Sequence, residues 1–107
     1  MKVTKLLSTA LATGALTISM ITTAGAATLF EHQNYSGQTF SASNAPNVGS
    51  LNDKASSVKI PATRGFMFYQ HAGFLGSWVY LETSYNSLSA LPFGYGLSWN
   101  DRISSFK

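Results

Sequence analysis

The chain has 107 residues, with seven basic and four acidic side chains, no cysteine and a formal net charge of +3 at pH 7. This length allows one small domain. The lack of cysteine excludes a fold held by disulfides and any metal or redox site built on thiolates.

Residues 1–26 have the pattern of a secretory signal peptide. Two lysines precede an uncharged, apolar stretch over residues 6–21, and small residues follow up to Ala26. The stretch is short for a membrane anchor and contains serine and threonine, and no basic cluster follows it. We therefore expect cleavage after Ala26, secretion, and no stable membrane insertion of the remaining chain.

The remaining residues, 27–107, are predicted to form a single domain with a large aromatic content. They contain five basic and four acidic residues, a formal charge of +1, so no basic patch predicts binding to nucleic acid or anionic lipid. All 14 aromatic residues of the chain lie here. Because secreted domains of 81 residues usually need a staple, either this aromatic core or a bound metal must stabilise the fold.

Short apolar runs broken by Gly, Pro, Asn and Ser predict an all-β fold with many short strands and little helix. Pro61 and Arg64-Gly65 separate two halves, a first motif over about residues 27–62 and a second over about residues 64–107. The candidate strands are Thr28–Glu31, Gln38–Ser41, Ser57–Ile60, Phe66–Tyr69, Trp78–Leu81 and Ile103–Phe106.

The segments Phe30–Gly37 and Tyr69–Gly76 repeat one layout with an offset of 39 residues. Each begins with an aromatic residue and has a histidine two positions later. Each has a second aromatic two positions before its final glycine. We expect the glycine to adopt a positive φ in a folded hairpin, where a Cβ would clash. The two halves would pair their sheets into a sandwich.

A second repeat is the string N-D-x-x-S-S, which occurs at Asn52–Ser57 and Asn100–Ser105 with an offset of 48 residues. It is rich in the hard oxygen donors that Ca²⁺ prefers. The larger offset means that the second half carries nine extra residues. We place them in Tyr85–Gly96, as a loop with a short helical turn over Ser87–Leu91.

The aromatic-x6-Gly element followed by N-D-x-x-S-S, twice in order, resembles the βγ-crystallin family, specifically its microbial calcium-binding branch. The resemblance covers essentially all of residues 27–107. It implies a β-sandwich of two Greek-key motifs with about two Ca²⁺ ions per chain, each site drawing ligands from both motifs.

The resemblance also implies which residues hold calcium. Side-chain oxygens would come from the second and fifth positions of each string, namely Asp53, Ser56, Asp101 and Ser104. Backbone carbonyls would come from Glu31, Gln70, Lys54 and Arg102. The first and last residues of each string would support the loops: Asn52 and Asn100 by hydrogen bonding to backbone, Ser57 and Ser105 as structural residues.

This ligand set carries little negative charge, so we expect calcium affinities in the micromolar-to-millimolar range. Lys54 and Arg102 place a cation inside each string, which weakens binding unless the side chains point to solvent. Such sites would stabilise the fold rather than act as a switch.

Other interpretations compete with calcium binding. The strings could be turn signals without a metal, since Asn, Asp and Ser favour turns. His32 and His71 suggest zinc, but zinc needs three or four ligands, and equivalent repeat positions favour hairpin residues. No G-x-S-x-G element is present, and nothing places Glu31 and Glu82 in one cleft, so we expect no enzyme activity.

An interaction role is the main alternative. Proteins of similar fold include secreted metalloproteinase inhibitors and killer toxins, but those relatives carry disulfides and lack the paired strings. An extracellular protein partner would bind through Tyr85–Gly96, unless its aromatic and aliphatic residues pack as core and lid. Trp78 and Trp99 could stack on sugar rings, although a single tryptophan is more often a core or cover residue.

Overall fold

The computed structural model describes residues 25–107, so all but the last two residues of the predicted signal peptide lie outside it. Strands make up almost all of the regular structure, with two 3-10 turns at Gly49–Leu51 and Leu88–Ala90. Within the described residues, no helix has the length and apolar character needed to cross a membrane. The strands are β1 (Ala27–His32), β2 (Ser36–Ala42), β3 (Ser57–Lys59), β4 (Phe66–His71), β5 (Leu75–Leu81), β6 (Pro92–Gly94), β7 (Leu97–Ser98) and β8 (Ser105–Phe106).

The two halves build matching three-stranded antiparallel sheets. Sheet one has the order β2-β1-β3, and sheet two has the order β5-β4-β8. In each sheet the first two strands in chain order form the hairpin that the repeat predicts. The third strand begins at the last serine of the N-D-x-x-S-S string and pairs with the other edge of the first strand. All six predicted strands are present. Four are longer than predicted, and the third and the last, β3 and β8, are shorter.

Each half also contributes to the sheet of the other half. Tyr85 of the second half pairs with Val58 of β3 through two backbone hydrogen bonds of 2.9 and 3.0 Å. Ala45 of the first half pairs with Phe106 of β8 in the same way, at 2.7 and 2.9 Å. This exchange completes the two Greek keys and joins the halves into one sandwich.

The hairpin glycines have the predicted conformation. Gly37 has φ +84° and Gly76 has φ +81°, and a Cβ at either position would lie 2.5 or 2.6 Å from a ring carbon of His32 or His71. Any residue other than glycine is therefore excluded at both positions, by its φ preference and by the clash of its Cβ. The paired aromatics cover the hairpins, with ring centroids 5.6 Å apart in the first and 5.7 Å in the second.

The core lies between the two sheets and is dominated by phenylalanine and aliphatic side chains from both halves. Phe106 is its centre, with ring centroids 5.2 Å from Phe68 and 6.0 Å from Phe66. Leu29, Val58 and further aliphatic residues pack from sheet one. Each half alone would leave one apolar face of its sheet exposed to solvent. The exchange of strands and the shared core therefore both stabilise the sandwich of the two halves.

The extra residues of the second half differ from the prediction. Leu51 directly precedes Asn52, whereas residues 92–99, eight of the nine extra residues, separate Leu91 from Asn100. Tyr85 and the turn at Leu88–Ala90 have counterparts in the first half and are not part of the insertion. The helical turn is thus where the sequence predicts it, but the prediction of a loop up to Gly96 is wrong.

The insertion is a small β-hairpin, formed by β6 and β7. Its turn is Tyr95-Gly96, with φ values of 58° and 74°, and the strands pair on either side of it. The amide of Trp99 donates to the carbonyl of Leu91 at 3.0 Å and closes the insertion. Trp99 is only 2% exposed, and its ring centroid lies 4.9 Å from that of Phe93. Packing on this tryptophan anchors the inserted hairpin to the body of the domain.

Candidate metal centres

The two N-D-x-x-S-S strings are bonded to each other. The amide of Asp53 donates to the carbonyl of Ile103 at 3.1 Å, and the amide of Asp101 donates to the carbonyl of Ala55 at 2.9 Å. Both aspartates have a positive φ, 56° and 61°, a conformation that Asp tolerates better than most residues. This reciprocal pairing carries the aspartate of each half toward the loop of the other half.

The last serine of each string ties the string to its own hairpin. The Ser57 hydroxyl donates to the carbonyl of His32 at 2.6 Å and accepts from the amide of Tyr35 at 3.1 Å. Ser105 makes the same two bonds in the second half, at 2.6 and 3.0 Å. Both serines are fully buried. Their predicted structural role is therefore confirmed in both halves.

Glu31 and Gln70 lie at irregularities of the two hairpins. The register shifts between Phe30 and His32 in β1, and at the equivalent point of β4. A bulged residue leaves the regular ladder, so its backbone groups are not committed to strand pairing. The side-chain oxygens of Glu31 and Gln70 each accept only a long hydrogen bond of 3.5 Å from a β2 or β5 amide.

The first cavity, called cavity one, has a volume of about 270 Å³ and opens at the tip of sheet one. Its walls combine the hairpin of the first half with the string of the first half and one aspartate of the second. The lining residues are Glu31, His32, Lys54, Ser56 and Asp101.

The second cavity, called cavity two, is smaller, about 180 Å³, and opens at the tip of sheet two. Its lining residues are Asp53, Gln70, His71, Asp101 and Arg102. The hydroxyl of the buried Ser104 donates to Oδ1 of Asp53 at 3.0 Å, which holds this carboxylate at the cavity.

All eight residues that the sequence predicts as ligands lie at these two cavities, seven in a wall and Ser104 through its bond to Asp53. Asp53 belongs to the cavity of the second half and Asp101 lines both. The histidines His32 and His71 also line them, which the sequence interpretation did not propose. Both histidines occupy the same position of the hairpin repeat, next to Glu31 and Gln70, and this position could have predicted that they line the cavities.

The first residues of the strings do not show the predicted bonds to backbone. The Asn52 amide nitrogen lies 3.5 Å from Oδ2 of Asp53, a contact between side chains. Oδ1 of Asn100 is buried without a hydrogen-bond partner among residues 25–107. The loops are instead supported by the backbone bonds between the strings and by the buried serines.

The cation of each string has different surroundings. Nε of Arg102 donates to the carbonyl of Ser98 at 2.9 Å, and the guanidinium carbon lies 5.0 Å from the ring centroid of Phe93. Both partners belong to the inserted hairpin. Lys54 is exposed, and no hydrogen bond or ion pair of its ammonium group is found within residues 25–107. Arg102 is therefore held by the inserted hairpin, whereas Lys54 has no such support among the described residues.

The donor set of both cavities is suited to a hard cation. Carboxylate, hydroxyl and amide oxygens predominate, and these are the ligands that Ca²⁺ takes. In the part of the chain that the structure describes, no three His, Asp or Glu side chains form a cluster for a metal ion. An ion in either cavity would thus depend on backbone and hydroxyl oxygens as well as on carboxylates.

Comparisons with known proteins show the family of this chain. The family model described as Beta/Gamma crystallin matches residues 26–107. The chain belongs to the beta/gamma crystallin family. No curated protein sequence matches it significantly.

Solved beta/gamma crystallins share the fold. A betagamma-crystallin from an archaeon is 30% identical, with a TM-score of 0.65, and the match covers 79% of this chain and 98% of that one. A betagamma-crystallin domain from Flavobacterium johnsoniae is 25% identical, with a TM-score of 0.62 and coverage of 76% and 90%.

One further neighbour was solved with a metal ion. A clostrillin double mutant in complex with nickel is 22% identical, with a TM-score of 0.58 and coverage of 77% of this chain and 94% of that one. At this identity the match shows the beta/gamma crystallin fold alone.

Proposed function

We propose that the protein is a secreted, non-enzymatic beta/gamma crystallin that binds two Ca²⁺ ions, one in each cavity, and is stabilised by them. One observation carries the proposal. Each cavity joins a hairpin residue of one half, Glu31 or Gln70, to an aspartate of the other half. An ion held between them would bridge the two halves of the domain.

In cavity one, Asp101 and Ser56 would supply side-chain oxygens, and Glu31 and Lys54 backbone carbonyls. In cavity two, Asp53 and Ser104 would supply the side-chain oxygens, and Gln70 and Arg102 the carbonyls. The ion would neutralise carboxylates that otherwise repel each other across the joined strings. Because these residues come from hairpins and strings already joined by backbone bonds, little chain ordering should accompany binding.

The charges around each cavity favour moderate affinity. Cavity one is lined by two carboxylates and one lysine, and cavity two by two carboxylates and one arginine, with Asp101 shared. Low ligand charge places Ca²⁺ sites in the micromolar-to-millimolar range, which extracellular calcium can fill.

Thermal melting of residues 27–107 with a chelator, with Ca²⁺ and with Mg²⁺ tests the proposal. An ion that binds only the folded state stabilises it by RT ln(1 + [Ca]/Kd), about 2.7 kcal/mol at one hundred times Kd. For a domain of this size we expect Ca²⁺ to raise the Tm by roughly 10–20 °C. Mg²⁺ should raise it much less, because it demands tighter octahedral geometry.

The control is the double variant Asp53→Asn with Asp101→Asn, which removes both carboxylates and keeps side chains that tolerate positive φ. Its melting temperature should no longer respond to Ca²⁺. Equal Tm values for the chelated and calcium-loaded wild-type protein would contradict the proposal.

A second candidate function is binding to an extracellular protein through Tyr85–Gly96, as in inhibitors of similar fold. Leu88 and Leu91 of this segment are buried, but Tyr95 at the tip of the inserted hairpin is 98% exposed. Inhibition of secreted metalloproteases, lost on Tyr95→Ser while calcium affinity stays unchanged, would support this function. The absence of inhibition with and without Ca²⁺ would argue against it.

A further inference from the structure

The outward faces of the two sheets differ at equivalent positions. In sheet two Trp78 lies opposite Tyr69 and Tyr80 lies opposite Met67, on the face away from the buried Phe66 and Phe68. In sheet one the residues that correspond to Trp78 and Tyr80 are Thr39 and Ser41, which lie opposite Phe30 and Thr28. The fold itself therefore does not require aromatic residues at these positions.

Both aromatic side chains are open to solvent. Trp78 is 58% exposed and Tyr80 is 51% exposed, and β5 contains no charged residue. An aromatic side chain has roughly 150–250 Å² of surface, so the two rings expose on the order of 200 Å². A stable interface between two proteins needs about 800 Å² on each side. The two rings supply about a quarter of that area, which suits a small ligand better than a second copy of the chain.

A cavity at this face is lined in part by Tyr80. It has a volume of about 620 Å³ and is lined by Ala62, Thr63, Arg64, Gly65, Tyr80 and Glu82. Its volume falls in the range of small-molecule sites, about 300–1,000 Å³. A Cβ on Gly65 would collide with the Tyr80 hydroxyl, so the glycine makes room for the phenol at this cavity.

The two charged residues of this cavity do not neutralise each other. Arg64 and Glu82 both line it, yet no ion pair joins them among residues 25–107. The Arg64 guanidinium carbon lies 3.8 Å from the ring centroid of Phe66, and Nε donates to the carbonyl of Gly65 at 3.1 Å. Nη1 also donates a long hydrogen bond of 3.5 Å to the carbonyl of Ser43. The remaining N–H groups of the guanidinium and the Glu82 carboxylate can bond to a ligand.

We propose that Trp78, Tyr80, Arg64 and Glu82 form a binding site for a neutral oligosaccharide. A pyranose ring has an apolar C–H face, which packs on aromatic rings, and hydroxyl groups that both donate and accept hydrogen bonds. The guanidinium offers only donors and the carboxylate only acceptors, so together they match hydroxyl groups. Their opposite charges favour a neutral ligand over an ionic one. The site contains no residue of cavities one or two, so it does not depend on calcium binding.

The proposal is tested with substitutions to the residues that the first half has at the equivalent positions. Trp78→Thr and Tyr80→Ser install the first-half residues on β5, and Tyr95→Ser removes an exposed aromatic of the inserted hairpin, outside β5. Binding of cellohexaose and chitohexaose is followed by amide chemical-shift changes in NMR spectra. We expect at least one of the two oligosaccharides to bind both the wild type and the Tyr95→Ser variant. Its affinity for the Trp78→Thr variant should be at least tenfold lower than for the wild type.

A second variant separates hydrogen bonding from stacking. Glu82→Gln keeps the size of the side chain and removes its charge, so it should weaken binding severalfold without changing the Tm. The proposal is overturned if neither oligosaccharide shifts any amide of the wild type, or if Trp78→Thr binds as tightly as the wild type. Sedimentation that shows a dimer dissociated by Trp78→Thr would also overturn it, in favour of a protein interface.

Discussion

The two N-D-x-x-S-S strings share their backbone bonds but differ in what surrounds their cations. Lys54, in the first string, is exposed, and Leu51 directly precedes the string. Arg102, in the second, is bonded to Ser98 and lies against Phe93, both in a hairpin that the first half lacks. The same string therefore occurs once with a cation that the inserted hairpin holds and once with a cation that it does not contact.

This difference separates two roles of the string. The reciprocal bonds of the aspartate amides and the buried serine hydroxyls are the same in both halves, so they belong to the fold. The inserted hairpin acts on one half only, where it restrains the loop and its cation. We therefore expect cavity two to be the more rigid and cavity one the more open to adjustment.

The largest expected effect comes from deleting residues 92–99, which would connect Leu91 to Asn100 as Leu51 connects to Asn52. The deletion removes the packing of Trp99 and Phe93, and loss of a buried tryptophan usually costs about 3–5 kcal/mol. The free energy of unfolding, measured with urea and a chelator, should fall by that amount. A deletion variant as stable as the wild type would show that the hairpin is not part of the core.

Substituting the buried serines tests what the halves have in common. Ser57→Ala and Ser105→Ala each leave a carbonyl and an amide without a partner, which costs about 1–3 kcal/mol. Because the two hydroxyls make bonds of nearly equal length, the two losses should agree within about 0.5 kcal/mol in urea unfolding. A large effect of one and no effect of the other would contradict the shared role.

The aspartates should differ in their effect on calcium. Asp53 lines cavity two only, whereas Asp101 lines both cavities. Asp53→Asn should remove one bound ion and leave the other affinity unchanged. Asp101→Asn should remove one ion and weaken the other, with each lost carboxylate lowering affinity tenfold or more, about 1.4 kcal/mol. Identical titrations of the two variants would refute the shared position of Asp101.

The smallest expected effect concerns the two cations. Lys54→Met removes an exposed positive charge and should raise calcium affinity at cavity one by roughly two- to fivefold, since charges near solvent interact weakly. Arg102→Met also removes a support of the hairpin, so it should lower the Tm of the calcium-free protein, which Lys54→Met should not. If both variants change affinity and Tm alike, the hairpin does not restrain Arg102.

Much of the fold follows from local patterns in the sequence. The aromatic residues and the glycine of each hairpin identify β1, β2, β4 and β5, because a folded hairpin with positive φ needs glycine at one fixed place. The hairpin β6–β7 was missed because its two-residue turn is Tyr95-Gly96. A two-residue turn with two positive φ angles usually has the sequence Asn-Gly or Asp-Gly, and a tyrosine at the first position does not predict such a turn.

The exchange of strands between the sheets is less accessible from sequence. Ala45 and Tyr85 each contribute a single bridge, which is too short for any alternation of apolar and polar residues to indicate. The repeat and the family resemblance predicted the residues that lie at the two cavities. Spacing along the chain does not show that Asp101 lines both cavities, because this depends on how the strings pair.

Calorimetric titration of chelated residues 27–107 with CaCl2 tests the central claim most directly, because it reports stoichiometry and affinity together. The account predicts two ions per chain with dissociation constants in the micromolar-to-millimolar range, unequal for the two cavities, and one ion for the Asp53→Asn variant. Absence of binding up to millimolar Ca²⁺, or binding that Asp53→Asn and Asp101→Asn together leave unchanged, would contradict it.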